Sequence, residues 1–393
     1  MEGLNLRKSF IVFLISLYIF GGGMTAFAEE SPVELADQAT SAILIERDTG
    51  QVLYEKNSDE QLPPASMTKV MTMLLIMEAI DSGKIKWDDK VRTSERAASM
   101  GGSQIFLEPG EEMTVEEMMK GIAIASGNDA SVAMAEHLAG SEEQFVKQMN
   151  EKAKKLGLQG THFVNSNGLP AENHYSTAAD LAKMAQELLK YEEITQYTSL
   201  YEDYLREGTD EKFWLVNTNK LVKFYPGVDG LKTGFTQEAK YCLTASANKN
   251  GMRIIAVVMG APTPKERNRQ VTEMLDYAYS QYELQKRYER GDLLGEVKIS
   301  KGSLPTVPVL VKENVSLLMK KGDSVEGITE RLELEQSIAA PVKKGDPVGK
   351  LYVEKDGEVL TEAVVVAEED VHEASLWTLI KRTTSVLVGK NVF

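Results

Sequence analysis

Pro63-Pro64-Ala65-Ser66-Met67-Thr68-Lys69-Val70-Met71 places a serine at the expected start of a helix, with a lysine three residues later. Positions i and i+3 share one helix face, so Ser66 and Lys69 can point into the same space. The run that follows, Val70-Met71-Thr72-Met73-Leu74-Leu75-Ile76-Met77, is apolar nearly all round. Such a helix belongs inside a domain rather than on its surface. Burial disfavours an ammonium, so the Lys69 pKa is expected to fall. A lysine of lowered pKa can act as a base, and a neighbouring serine is what a base activates. Taken alone, the same residues read as an N-cap and a solvent-facing lysine. The rest of the chain decides between the two.

Outward from this stretch the chain is punctuated by strands and helices. Ser41–Glu46 and Gln51–Tyr54 flank the turn Asp48-Thr49-Gly50, predicting a hairpin. Thr114 and Glu117 form a capping-box pattern opening a helix, which is interrupted at Ala125-Ser126-Gly127-Asn128-Asp129 and resumes through Leu138. Further helices are expected from Ser141 to Lys155, from Ser176-Thr177 to Leu189, and from Pro264 to Leu284. Gly160 to Tyr175 reads as a loop, and 190–225 resists assignment. Val228–Thr236, Tyr241–Ala247 and Met252–Met259 predict three successive antiparallel strands, with Cys242 a core residue. Strands at both ends of this region and helices between them predict an α+β domain over 29–285, its sheet built from both ends of the segment. Beyond Lys286–Asp292, short alternating segments with Gly turns predict a small all-β domain over 291–370.

Both termini differ from the body. Arg7 and Lys8, the apolar run Phe10–Phe20 and Ala26-Phe27-Ala28 predict a signal peptide over 1–28, cleaved after Ala28, and hence export. Leu376, Trp377, Leu379, Ile380, Val386, Leu387 and Val388 interleave with Lys381, Arg382 and Lys390. This predicts an amphipathic helix over 371–393 lying in a membrane interface. The 393 residues are 42% hydrophobic and 26% charged, as in soluble globular proteins, and the net charge of −15 argues against nucleic acid as a partner. The single cysteine excludes an intramolecular disulfide.

Two further short motifs stand at the helix break and on the first of the three strands: Ser126-Gly127-Asn128 and Lys232-Thr233-Gly234. With the Ser-x-x-Lys, in this order and in these contexts, they resemble the three-part signature of serine penicillin-binding proteins and β-lactamases. Asp229-Gly230-Leu231 and Tyr175-Ser176-Thr177-Ala178 add to the likeness. The chain is similar to low-molecular-mass penicillin-binding proteins of the D-alanyl-D-alanine carboxypeptidase family (peptidase family S11), over nearly its whole mature length.

The resemblance implies a β-lactamase/transpeptidase-like catalytic domain, a small C-terminal β domain and an amphipathic helix on the outer face of the bacterial cytoplasmic membrane. It implies that Ser66 is the nucleophile, Lys69 its base and Ser126 a proton relay to the leaving D-alanine. Asn128 and Lys232 would bind substrate, and Thr233, Gly234 and Phe235 would line the strand on which the peptide docks. The oxyanion hole would be the main-chain N–H groups of Ser66 and Phe235. The implied substrate is the peptidoglycan pentapeptide stem, with β-lactams as inhibitors and neither metal nor cofactor. Phe235 departs from family members that carry histidine there. His137, His162, His174 and His372 lie outside the motifs and are expected at the surface or in loops. Alternatives on the same fold are a β-lactamase, for which Glu172 lacks a matching context, and a DD-endopeptidase or transpeptidase.

Overall fold

The structure, a computed structural model, describes residues 33–387. The predicted leader 1–28 and the last six residues of the predicted C-terminal segment lie outside them. Strands β1 (Ser41–Glu46), β2 (Val52–Lys56), β3 (Val228–Thr236), β4 (Lys240–Lys249) and β5 (Met252–Ala261) form one antiparallel sheet in the order β2-β1-β5-β4-β3. The sheet is therefore closed by its N-terminal hairpin: Ala42 pairs with Val258 and Ile43 with Val257.

Side chains alternate between the two faces of a strand. Ile43, Ile45, Cys242, Ile255 and Val257 face the helical block, whereas Ala42, Leu44, Leu243, Ala245 and Ile254 face the other side. The helical block comprises α1 (Lys69–Asp81), α2 (Val115–Ala123), α3 (Asn128–Ala139), α4 (Glu142–Lys155) and α5 (Ala178–Leu188). Helix α6 (Pro264–Gln281) covers the opposite face with Val271, Met274, Leu275 and Ala278. The sheet is thus the middle of three layers.

Local signals set the helix ends. Thr114 and Glu117 complete the capping box of α2, Ser141 and Thr177 cap α4 and α5, and Pro264 follows the Thr263 cap of α6. α1 is buried along almost its whole length, as its unbroken apolar sequence requires. Helix α6 stops three residues earlier than its sequence suggests. Tyr282–Tyr288 instead forms β6, which pairs antiparallel with a strand at Val315–Lys320. Tyr282, Leu284 and Leu318 pack on the α6 side of the core, so strand pairing and apolar burial outweigh the helical periodicity there. The unassigned region 190–225 contains a short hairpin, Glu202–Leu205 with Phe213–Val216, and single helical turns.

After β6, strands β7 (Leu293–Ser300), β8 (Thr306–Val311), β9 (Val315–Lys320), β10 (Ile328–Leu334), β11 (Ile338–Ala339), β12 (Pro347–Lys355) and β13 (Glu358–Ala367) complete the C-terminal part. Six of them form a sheet in the order β10-β12-β13-β8-β7-β11, while β9 pairs with β6. Their own core includes Val297, Val307, Val309, Val353 and Val365. Helix α7 (Leu376–Leu387) is tied back by Arg382, which donates to the Gly302 and Ser303 carbonyls. Among the described residues no helix is long and apolar enough to cross a membrane.

Candidate active site

Ser66 lies in a 3-10 turn, Ala65–Thr68, that runs directly into α1. No side chain caps either helix start, so the serine is not spent as a cap. Ala65 has φ +48°, a left-handed conformation unusual for a residue with a side chain, and it turns the chain sharply just before the serine. Two glycines explain how the turn is held. A Cβ on Gly168 would lie 1.8 Å from the Ala65 carbonyl oxygen, and one on Gly234 would lie 2.8 Å from that of Pro64. The 160–175 loop and β3 therefore close on the turn from two sides, at distances only glycine allows.

Lys69 is the first residue of α1 and is completely buried. Its Nζ lies 2.6 Å from Asn128 Oδ1, 2.7 Å from the Asn167 carbonyl oxygen and 3.2 Å from Ser66 Oγ. Burial holds its pKa well below the usual lysine value, and the charge of Lys232 lowers it further against the opposing pull of Asp129.

Asn128 begins α3, just after the break in the helical block. Its amide is fixed at both ends, because Nδ2 donates to the Gly101 carbonyl at 2.7 Å while Oδ1 faces Lys69. The next residue, Asp129, accepts from the main-chain N–H groups of Ile105 and Leu107, anchoring the 101–107 loop beside the site. Ser126 is buried with φ +65° in the break itself. Lys232 is buried on β3, with its pKa pushed down to about 7 by burial and then by Arg267. Its Nζ donates to the Thr233 carbonyl, and Thr233 Oγ1 donates to Thr218 Oγ1 at 2.7 Å.

The structure thus joins Ser66, Lys69 and Asn128 by direct contacts, places Ser126 two residues from Asn128, and sets Gly234 against the turn that carries Ser66. Phe235 is 52% exposed and stacks on Tyr241 with ring centroids 4.4 Å apart. β3 is an edge strand, bonded to β4 on one side only. A groove of about 730 Å³ runs from Pro64 and Ala65 past Leu169 and Glu172 to Thr236 and Glu238. Among the described residues no three His, Cys, Asp or Glu side chains cluster as metal ligands would.

Several participants were not legible as such. Asn167 supplies a main-chain carbonyl, and Ser166 supplies another to Thr72 Oγ1 at 2.6 Å. Only the Gly in Ser166-Asn167-Gly168 hinted at a close approach. Asp229 is held by Ser246 at 2.7 Å and Arg253 at 2.6 Å, across β3, β4 and β5. Of the four histidines, His137, His162 and His372 are exposed, but His174 is buried and hydrogen-bonded through both ring nitrogens. Its loop position is as expected. Its burial follows from the fold of the loop over α1.

Comparison with known proteins agrees with this geometry. Residues 25–263 match the D-alanyl-D-alanine carboxypeptidase family, and residues 282–373 match the penicillin-binding protein 5 C-terminal domain. The D-alanyl-D-alanine carboxypeptidase DacF of Bacillus subtilis is 60% identical over 381 residues, 96% of this chain and 98% of its own. Penicillin-binding protein 5 of Haemophilus influenzae superposes with a TM-score of 0.68 at 31% identity, over 86% of this chain and 98% of that one. Ampicillin-bound penicillin-binding protein D2 of Listeria monocytogenes gives 0.55 at 32% identity, over 61% and 96%.

Proposed function

The chain belongs to the D-alanyl-D-alanine carboxypeptidase family, and from that premise we propose that it removes the terminal D-alanine of peptidoglycan pentapeptides through an acyl-enzyme on Ser66. The observation that carries the assignment of roles is the set of three neighbours around Lys69 Nζ. A neutral amine has two N–H donors and one lone pair. The Asn128 and Asn167 oxygens take the two donors, which leaves the lone pair for the Ser66 hydroxyl. Burial, and then the charge of Lys232, favour this neutral form.

The steps follow. Ser66 Oγ attacks the carbonyl between the two D-alanines while its proton passes to Lys69. The oxyanion forms within reach of the Ser66 and Phe235 N–H groups. Ser126 relays the proton to the leaving amine, the C–N bond breaks, and D-alanine departs. Water then hydrolyses the Ser66 ester. Lys232, held at about 7 in the free site, takes up a proton beside the substrate carboxylate, which favours the ammonium, and Asn128 bonds the peptide. The peptide itself lies along the free edge of β3, at Thr233–Phe235. A β-lactam acylates the same serine.

The enzyme acts outside the cytoplasm on the cell wall, and we infer that residues 1–28 direct its export. We further infer that α7 holds it at the outer face of the membrane. Leu376, Trp377 and Ile380 are exposed on this helix, although Arg382 ties it to the β domain, and Lys381 lies 5.5 Å from the Trp377 ring. An exposed apolar stripe beside basic residues suits an interface. Residues 29–285, 291–370 and 371–393 are accordingly read as catalytic, β and anchoring segments.

The test is release of free D-alanine from a D-Ala-D-Ala pentapeptide, with Ser66→Ala as the control. Release by the wild type and none by the variant is expected. Rapid turnover of penicillin, instead of a lasting adduct on Ser66, would favour a β-lactamase. Products joined to an added amine would favour a transpeptidase.

A further inference from the structure

The loop that supplies the Asn167 carbonyl carries none of the three motifs, yet one of its side chains clasps the nucleophile turn. His174 is only 7% exposed. Its Nδ1 accepts from the Val164 main-chain N–H at 3.0 Å, and its Nε2 lies 2.8 Å from Thr68 Oγ1. A main-chain N–H can only donate, so Nδ1 must present a lone pair and the ring proton must sit on Nε2, donated to Thr68. Thr68 immediately precedes Lys69. Val164 precedes Ser166 and Asn167, whose carbonyls accept from Thr72 and Lys69. The Phe163 ring meets the imidazole edge-on at 5.9 Å and helps enclose it.

We propose that His174 is a positioning residue for the reaction: as the neutral Nε2–H tautomer it pins Val164–Gly168 to the nucleophile turn, and so sets the Asn167 carbonyl that orients the Lys69 amine. The proposal rests on the reading of Lys69 as the base. It explains why a rigid ring stands here. The site needs an acceptor and a donor a fixed distance apart on one plate, and neutral imidazole supplies both.

A second proton on the ring would point at the Val164 N–H, setting donor against donor and releasing the loop. Burial, and then His162, hold the ring at about 4, so the neutral tautomer persists down to acid pH. Other titratable groups around the loop are Lys69 beside Thr68, Glu142 under Ser166, and Glu172 and Tyr175 in the loop itself.

Four variants test the proposal: His174→Ala, His174→Asn, His174→Gln and Thr68→Val. Asn retains an acceptor near Val164, Gln retains a donor near Thr68, and Thr68→Val removes the same link from the other side without touching the loop. His174→Ala and Thr68→Val should each lower kcat for D-alanine release about tenfold with KM changed less than about twofold. The double variant should be little worse than either single one, because both remove one contact. His174→Asn or His174→Gln should recover part of kcat. Nitrogen-15 NMR of histidine-labelled wild type should show the Nε2–H tautomer from pH 8 to below pH 5.

Wild-type kcat in His174→Ala with only a lower melting temperature would overturn the proposal, and so would an Nδ1–H tautomer. Absence of D-alanine release from the wild type would instead count against the underlying reaction. Acylation of Ser66 by a fluorescent penicillin then provides the rate on which the same four variants are compared.

Discussion

The Asn167 carbonyl and Lys69 Nζ stand 2.7 Å apart, so the buried lysine, the proposed base, is oriented by a main-chain atom that no side-chain substitution at 167 removes. The contact comes from a loop rather than from the helices or the sheet. Lys69 has a second acceptor in Asn128, at 2.6 Å, and that one can be altered.

Asn128→Asp places a carboxylate against a buried lysine. An opposite charge favours the ammonium, so the Lys69 pKa rises and its neutral fraction at pH 7 falls. Acylation at pH 7 should drop about 100-fold, as for loss of a general base, and recover partly at higher pH. Rates of labelling by a fluorescent penicillin across pH measure this. An unchanged profile in the variant would mean that Asn128 does not set the ionisation of Lys69.

Gly168→Ala forces a methyl to within 1.8 Å of the Ala65 carbonyl oxygen, at a backbone φ of +86°. Backbone atoms cannot yield as a flexible side chain can, so the loop or the Ala65–Thr68 turn must move. A displacement of the order of 1 Å typically costs about 100-fold in rate. The acylation rate should fall by that order while circular dichroism shows a folded protein. Wild-type rates would show that the turn tolerates the shift.

Lys232 gives a pH dependence of stability. Its pKa is about 7 in the folded protein, against about 10.4 in an unfolded chain. Between these values the unfolded state binds a proton that the folded state does not, so stability rises with pH through this window and the gain is lost as pH falls toward 7. Lys69 shifts in the same direction. Lys232→Met should remove a slope of up to about 1.4 kcal/mol per pH unit between pH 7.5 and 9.5. Urea titrations of both proteins at several pH values provide the comparison, and parallel curves would contradict the assigned ionisation.

Arg253 and Asp229 lock β3 to β5 across the width of β4, with Ser246 between them. Arg253→Met leaves a half-buried carboxylate without its cation, a loss of about 3 kcal/mol. Equilibrium denaturation should show it. A change below about 0.5 kcal/mol, the size of an ordinary surface substitution, would mean that solvent already satisfies Asp229.

The architecture was largely legible because its signals are local. The capping box at Thr114 and Glu117, the turn at Asp48-Thr49-Gly50 and the apolar run after Lys69 each specify their element within a few residues. The pairing of Ser66 with Lys69 was legible for the same reason, being one turn of helix. Contacts made by main-chain atoms were not, since the carbonyls of Ser166 and Asn167 carry no mark in the side-chain alphabet. The burial of His174 was not legible because its environment depends on residues more than a hundred positions away, at Thr68. The helical pattern runs past the end of α6 because Tyr282 and Leu284 fit a helical stripe as well as a strand face, and only the distant partner strand at Val315–Lys320 decides.

The antiparallel match of Ser41–Glu46 with Met252–Ala261 also governs the order in which the molecule can come into being. Contacts separated by some two hundred positions form slowly, because a long chain must first be gathered. As the polypeptide emerges, Ser66 and Lys69 are made early, but the strand bearing Lys232 and the partner of the first hairpin come only after the whole helical block. A nascent chain ending before Met252 has the serine and the lysine but lacks β5, the strand that joins the first hairpin to β3 and β4. Covalent labelling by penicillin therefore reports a polypeptide made at least through β5, and a shorter one is silent toward the antibiotic.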